Sequence, residues 1–212
     1  MLKRVRLKAI AFPVEHGGWG LLFEPITLGL ILAPSWSGLY ISVMAVAAFL
    51  IRHPFKLVWR NRQRGIRHAR IQIAIWVTIF YAAIAVFAFI ATMRTAGLLP
   101  LIPLFFLSPF ALIYLIYYNK NLGRFLLPEL IGSAALAVVA SCIVLAKGWP
   151  LLDAFFLWVI LLVRVIPSIL YVRAKLRLEK GQDTKTLPSF ISHASGLAVL
   201  SALAWLGSVP IL

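Results

Sequence analysis

Long apolar runs separated by short polar segments make up almost the whole chain. Seven of these runs approach or exceed the roughly 20 apolar residues that a helix needs to cross the hydrocarbon core of a bilayer. None shows the strict alternation that is typical of membrane β-strands. The first two runs are short, and the uncharged turn between them, from Pro34 to Gly38, predicts a tight helical hairpin. The predicted transmembrane helices are 18–33, 36–51, 71–93, 98–118, 125–146, 151–171 and 190–212.

The composition places the chain among membrane proteins. Of its 212 residues, 62% are hydrophobic and 13% are charged, and the mean hydropathy is +0.96. A soluble domain of this size has no core large enough for so much apolar surface. The expected fold class is therefore an all-α polytopic integral membrane protein, a helical bundle formed by a single domain over residues 1–212.

The basic residues are distributed very unevenly between the two ends of the predicted helices. Of 21 Lys and Arg, 18 lie in the N-terminal arm or in the segments that follow the second, fourth and sixth helices. The opposite side keeps Arg94 and Lys147, and Arg164 lies inside a helix. Because Lys and Arg in short loops are retained in the cytoplasm, we expect a cytoplasmic N-terminus and an outer C-terminus. Topology accounts for the net charge of +15, so no nucleic-acid partner is expected.

The first cluster of polar residues lies where the first helix begins. Residues 13–20 read PVEHGGWG, and Glu24 follows within the helix. Glycine permits close approach of the backbone, and a carboxylate inside a span needs a functional or structural reason. We therefore take Glu15, His16 and Glu24 as candidate catalytic residues that line a cytoplasm-facing cavity. The alternative is an interfacial anchor in which Glu15 caps the helix and His16 faces lipid headgroups.

A second cluster follows the second helix and is strongly basic. If the chain is helical after Pro54, the spacing aligns several cations on one face, which would favour an anionic partner such as a phosphate or a lipid headgroup. The alternative is a loop that rests on anionic lipids, each cation contributing about 1 kcal/mol of attraction to the membrane surface. The candidate ligand-binding residues here are Arg52, His53, Lys56, Arg60 and Arg64.

The third cluster lies in the sixth helix and beyond it. Arg164, Ser168, Tyr171 and Lys175 have a spacing that predicts one stripe from the helix interior to the cytoplasm. An arginine inside a span needs a partner. Glu24 and Glu129 are the carboxylates available within helices, so ion pairing and ligand contact both stay open for Arg164. The candidate ligand-binding residues of this cluster are Arg164, Tyr171, Arg173 and Arg177.

The sequence carries no sign of a metal or an organic cofactor. The histidines, at positions 16, 53, 68 and 193, include no pair spaced four apart on a helix. The single cysteine, Cys142, excludes both a disulfide framework and a cysteine zinc site, and its apolar surroundings predict an inert buried thiol. Phosphate loops, dinucleotide fingerprints and nucleophile elbows are absent from the sequence. We expect neither a metal nor a cofactor.

The PVEHGGWG segment, followed by a proline-containing apolar helix, resembles the opening signature of the YwiC-like family of bacterial membrane proteins. The basic segments after the second and sixth helices are similar too. The resemblance implies a multi-pass protein of the bacterial cytoplasmic membrane. A more distant likeness is to the UbiA-type intramembrane prenyltransferases, whose Asp-rich motifs hold magnesium and a prenyl diphosphate. Arg52-His53-x-x-Lys56-x-x-x-Arg60 keeps the spacing of the first motif and Arg173-x-x-x-Arg177 that of the second, but every Asp is replaced.

Since magnesium needs oxygen ligands, the likeness argues against conventional magnesium-dependent prenyl transfer. The leading hypothesis is a prenyltransferase-like bundle whose Arg- and Lys-rimmed, cytoplasm-facing cavity binds an anionic lipid or isoprenoid headgroup directly. If the protein is an enzyme, Glu24 or Glu15 is the candidate base and His16 the proton carrier. The alternatives are a small anion or proton-coupled transporter and a noncatalytic assembly partner of a membrane complex. Membrane lipids are the expected partners, and the oligomeric state is left open.

Overall fold

The computed structural model describes residues 7–13, 16–62, 69–120, 122 and 125–207, and all secondary structure within these ranges is helical. A short 3-10 turn, Leu99–Leu101, leads into the fifth helix. The eight α-helices are α1 (Lys8–Ala11), α2 (His16–Leu32), α3 (Trp36–Arg62), α4 (Ala69–Ala96), α5 (Ile102–Asn119), α6 (Leu126–Ala146), α7 (Leu151–Leu178) and α8 (Leu187–Trp205).

The predicted class of all-α membrane protein is confirmed by the length and composition of these helices. Six of them, α3 to α8, are long and apolar enough to cross a membrane within the described ranges. Helix α2 is apolar but shorter, with its apolar part at Gly17–Leu32. Each predicted span therefore corresponds to a helix, and the hairpin turn between α2 and α3 lies where the Pro34 to Gly38 segment predicts it.

Helix α3 is longer than the sequence pattern predicts. The apolar run ends at Ile51, but the helix continues through Pro54 to Arg62. A proline inside a helix removes one backbone hydrogen bond, and in membrane proteins neighbouring helices accommodate the loss. Pro54 is fully buried in such surroundings. Because the helix continues, the basic residues from Arg52 to Arg60 are ordered side chains of α3 and not part of a loop.

Helix α6 forms the centre of the bundle. It packs against α2, α3, α5 and α7, and its residues from Ala137 to Leu145 are buried without interruption. Small side chains allow the close approach: a Cβ added to Gly29 of α2 would lie 3.0 Å from the Ile143 side chain and 3.2 Å from the Ala140 backbone. Helix α4 packs mainly on α3, and α8 mainly on α7, which leaves both at the periphery.

The alternation of the helices collects the cations at one end of the bundle, as the sequence predicts. We call this the basic end. Helices α2, α4, α6 and α8 begin there, and α3, α5 and α7 end there. At the other end lie Arg94, at the close of α4, and Lys147, which follows α6. Basic residues of the described helices and turns at the basic end include Arg52, Lys56, Arg60, Arg70, Lys120, Arg173, Lys175, Arg177, Lys180 and Lys185.

Candidate functional site

Arg52 is a buried arginine near the basic end. Its relative exposure is 7%. The guanidinium Nη1 donates a hydrogen bond of 2.6 Å to the Tyr114 hydroxyl of α5. Its carbon lies 3.8 Å from the centre of the Phe49 ring and 5.5 Å from that of the Tyr118 ring. Stacking on aromatic faces suits the planar, weakly hydrated guanidinium. Arg52 is therefore fixed in orientation by aromatic residues of its own helix and of α5.

Lys56 lies one helical turn beyond Arg52 and uses the same aromatic wall. Its Nζ is 4.0 Å from the centre of the Tyr118 ring, and the Tyr114 and Tyr118 rings are stacked with centres 5.9 Å apart. The two cations thus share one pair of tyrosines. We call Arg52, Lys56, Tyr114 and Tyr118 the inner cluster.

The glycine-rich start of α2 packs directly on the inner cluster. A Cβ added to Gly18 would lie 2.9 Å from Arg52 Nη2 and 3.2 Å from the Phe49 ring. Trp19, the next residue, has its ring 5.1 Å from that of Phe49. The first and second polar clusters of the sequence, 34 positions apart at Gly18 and Arg52, therefore form one site. The positive end of the α2 dipole lies at this site too.

A short N-terminal segment lies across α3 and α4 beside the inner cluster. The ring of His53 is 3.2 Å from the Ala9 carbonyl oxygen through Nε2, and the Tyr81 hydroxyl donates to the Ala11 carbonyl at 3.4 Å. Ile10 between them is 1% exposed. His53 thus anchors the backbone of the segment before α2.

Arg164 is paired with Glu24 and not with Glu129, the other carboxylate that the sequence leaves open as a partner. Arg164 Nη1 donates to Glu24 Oε1 in an ion pair between α7 and α2. The side chains are 62% and 27% exposed at the surface of the bundle. Arg164 lies nine residues before Arg173, about 14 Å deeper along the helix, and Glu24 lies about 12 Å from the start of α2. The pair is therefore near the middle of the spans.

The stripe predicted on α7 is present and faces outward. Ser168, Tyr171 and Lys175 are exposed like Arg164, and the Ser168 hydroxyl donates to the Arg164 carbonyl at 2.8 Å. Tyr171 makes an edge-on contact with the His193 ring of α8, 6.5 Å between centres. We call Glu24 together with these four α7 residues the outer stripe. It is separate from the inner cluster, which lies among α2, α3 and α5.

Arg173 takes the second carboxylate that lies inside a helix. Its Nη1 donates to Glu129 Oε2 at 2.6 Å and so joins α7 to the first turn of α6. Gly132, one turn after Glu129, packs on the Tyr114 ring, from which an added Cβ would lie 2.9 Å. The two basic segments therefore approach each other at the basic end through Glu129, Gly132 and Tyr114.

The remaining candidates are spread more widely. Arg60 is half-buried in the last turns of α3, and Arg177 is exposed in the last turn of α7. His16 is the first residue of α2, and Glu24 lies two turns away from it in the ion pair. Glu15 and Arg64 lie outside the described residues. Of the three proposed catalytic residues, Glu24 is thus the one whose side chain the structure describes.

Sequence reasoning missed the two tyrosines that hold the cations. Neither Tyr114 nor Tyr118 is among the candidates that the sequence predicts. The signal was the spacing of four between them, which places two hydroxyl-bearing rings on one face of an otherwise apolar helix. Over the described ranges, no group of three His, Cys, Asp or Glu has the geometry of a metal site.

In a comparison with protein families, the model for YwiC-like protein matches residues 12–144. The matched region begins just before the PVEHGGWG segment and ends near the close of α6, so it contains Gly18, Glu24 and the whole inner cluster. No curated protein and no solved structure shows significant similarity to the chain.

Proposed function

This chain belongs to the YwiC-like protein family, and from the geometry of its inner cluster we propose that it binds an anionic lipid or isoprenoid headgroup, a phosphate or a carboxylate, at the cytoplasmic face of the bacterial inner membrane. The headgroup is held directly by Arg and Lys and without a metal. The N-terminus is cytoplasmic in this proposal, because the basic end carries nearly all the cations.

The observation that carries the proposal is the burial of Arg52. The positive-inside rule requires cations in loops and at the water-exposed ends of helices, and it is satisfied by flexible side chains. It does not require an arginine that is 7% exposed, hydrogen-bonded to a tyrosine and stacked on a phenylalanine. Withdrawing a guanidinium from water is costly. A guanidinium held in a fixed orientation at a buried position can bind an anion through charge-assisted hydrogen bonds.

The second cation extends the site toward the cytoplasm. Lys56 lies on the same face of α3 and is half-buried on the Tyr118 ring, and Arg60 follows one turn later. Cations four residues apart on one helix face can contact the same anion. The contact of Gly18 with Arg52 adds the N-terminus of α2, which favours negative charge.

The prenyltransferase-like part of the proposal concerns the ligand and not the chemistry. His53, Lys56 and Arg60 occupy the positions at which the first motif of the UbiA-type enzymes carries aspartates, and Arg52 precedes them. A row of cations can bind a prenyl phosphate itself, whereas aspartates bind it through magnesium. We therefore propose an isoprenoid phosphate as one member of the ligand class and leave magnesium-dependent transfer out of it.

The test is binding of farnesyl phosphate to the purified protein in lipid nanodiscs, measured by native mass spectrometry. Lys56→Gln should weaken binding about tenfold, the equivalent of one charge-assisted contact of about 1.4 kcal/mol. Arg52→Lys should weaken it as well, because an ammonium cannot both stack on Phe49 and reach the Tyr114 hydroxyl.

The matched control is Lys180→Gln, which removes an exposed cation from the same end of the bundle. It should leave binding within about twofold of the wild type, since an exposed charge acts only through the screened surface potential. If Lys180→Gln and Lys56→Gln lower the affinity equally, the cations act as a diffuse positive surface and the proposed site does not exist.

A further inference from the structure

The outer stripe has hydrogen-bonding capacity that a lipid environment does not satisfy. Arg164 carries five N–H donors, and among the described residues Glu24 is the acceptor for its side chain. The Tyr171 hydroxyl has no hydrogen-bond partner among the described residues. Both groups are more than half exposed on the outside of the bundle. Hydrocarbon tails offer no acceptors, so this face needs a polar occupant.

The wall opposite the stripe leaves room for that occupant. Gly20 of α2 lies one turn before Glu24, and Gly17 one turn before that, so both share the face of Glu24. A Cβ added at either glycine would have no atom within 4 Å. Gly18, by contrast, packs tightly on Arg52. The path from the basic end down to Glu24 is thus bordered by bare backbone on α2 and by Tyr171 and Ser168 on α7.

The polar path stops near the middle of the membrane. On the side of α7 that carries Arg164, the residue one turn toward the other end is the apolar Ile160. An occupant that enters at the basic end therefore keeps its polar head at Arg164 and needs an apolar part for the hydrocarbon around it. A free anion of the cytoplasm has no apolar part to place there, whereas an amphiphile has one.

We propose that the outer stripe is a second binding site, open sideways to the membrane, that takes the carboxylate of a single-chain lipid on Arg164. The guanidinium fork matches a carboxylate, and Glu24 already shows that one fits against it. A fatty acid, the single-chain lipid that ends in a carboxylate, carries no glycerol backbone, so its head can reach a residue about 12 Å from the start of α2, deeper than the head of a diacyl phospholipid lies. This site is independent of the inner cluster and of the function proposed for it.

The experiment uses electron paramagnetic resonance of spin-labelled stearate added to the full chain in nanodiscs. The wild type should show a motionally restricted fraction that the spin-labelled methyl ester, which has no charge, does not show. Arg164→Gln should abolish this fraction. Glu24→Gln should keep or enlarge it, because the carboxylate that competes for Arg164 is gone. A merely structural ion pair predicts instead that both substitutions act alike.

Gly20→Leu supplies a variant that does not depend on the ion pair. Its side chain enters open space, so the protein should fold, and it should narrow the path and lower the restricted fraction severalfold. Ala83→Leu on the exposed face of α4 adds the same bulk to a different lipid-facing surface and should change nothing.

Three results would overturn the proposal. The first is an equal restricted fraction with the methyl ester. The second is an equal loss in Glu24→Gln and Arg164→Gln. The third is an equal restricted fraction with spin-labelled phosphatidylglycerol, which has two chains and would indicate unselective attraction of anionic lipids. Lys56→Gln, which tests the inner cluster, should leave the stearate signal unchanged. The proposals for the two sites are therefore tested independently.

Discussion

The guanidinium of Arg52 lies against the backbone of Gly18, so that a methyl group on Gly18 would be 2.9 Å from Nη2. The same methyl group would be 3.2 Å from the Phe49 ring on which Arg52 stacks. Gly18→Ala should therefore push the guanidinium off the ring and away from Tyr114. We expect a loss of stability of about 1–3 kcal/mol from this overpacking, together with weaker binding of farnesyl phosphate.

The matched control for Gly18→Ala is Gly20→Ala, two residues later in the same helix. Nothing lies within 4 Å of an added Cβ at Gly20, and alanine is favoured over glycine in a helix interior by about 0.8–1.0 kcal/mol. Thermal unfolding of the two variants in detergent should thus shift in opposite directions. A loss of stability in both would mean that the glycines are required for the course of α2 and not for the contact with Arg52.

The sequence predicted the membrane-spanning helices because they depend on a one-dimensional property, the length of an apolar run. It did not predict where α3 ends. Pro54 and the charges after Ile51 argue for a boundary there, but burial of Pro54 among neighbouring helices maintains the helix to Arg62. A boundary that depends on tertiary packing cannot be read from local preference.

The sequence predicted which residues are candidates, but it did not predict which of them lie next to each other. Helical periodicity placed Arg164, Ser168, Tyr171 and Lys175 on one face, and they lie on one. Periodicity cannot tell which helices are neighbours, so neither the contact of Gly18 with Arg52 nor the outward direction of the stripe could be derived. The choice of Glu24 for Arg164 and of Glu129 for Arg173 depends on the same missing information.

The ion pair between Glu24 and Arg164 should make each residue more costly to change alone than with its partner. A single substitution to Gln leaves the other charge without its partner at a depth where a charged residue costs roughly 2.5–3.5 kcal/mol on insertion scales. Glu24→Gln and Arg164→Gln should each destabilise the protein, and the double variant should be less destabilised than the sum of the two. A double-mutant cycle from urea or thermal unfolding measures the coupling.

The pair between Glu129 and Arg173 is the internal comparison for that cycle. It lies at the basic end, with Arg173 25% and Glu129 38% exposed, where water is close. Its coupling energy should be nearer the value of about 0–1 kcal/mol found for exposed pairs. If it equals or exceeds that of Glu24 with Arg164, the deeper pair is not in a medium of lower polarity and its assigned depth is wrong.

The contact of α2 with the central helix should tolerate no increase in size at Gly29. An added Cβ meets the Cβ of Ile143 at 3.0 Å and the Cα of Ala140 at 3.2 Å, and backbone atoms cannot move aside as a side chain can. Gly29→Ala should destabilise by about 1–3 kcal/mol, and Gly29→Val by more. Ile143→Ala removes the Cδ1 that would lie 3.1 Å from the added Cβ, so it should cost less stability in the Gly29→Ala background than in the wild type, which would distinguish crowding from a general defect of the helix.

The thiol of Cys142 offers a direct measure of folding, because it is the single cysteine of the chain and is 0% exposed at the centre of α6. A thiol-reactive dye should label it only as the protein unfolds, with one labelling transition that coincides with the loss of helix measured by circular dichroism. Rapid labelling in the folded state would contradict the central position of α6.

Replacing Cys142 by Ala permits single cysteines to report the orientation in the membrane. Gln182, in the segment between α7 and α8 at the basic end, and Lys147, which follows α6 at the other end, are both exposed. In intact bacterial cells, a membrane-impermeant maleimide should label Lys147→Cys and should reach Gln182→Cys only after the inner membrane is permeabilised. The reverse pattern would place the basic end outside, contrary to the retention of Lys and Arg in the cytoplasm, and would remove the inner cluster from any cytoplasmic headgroup.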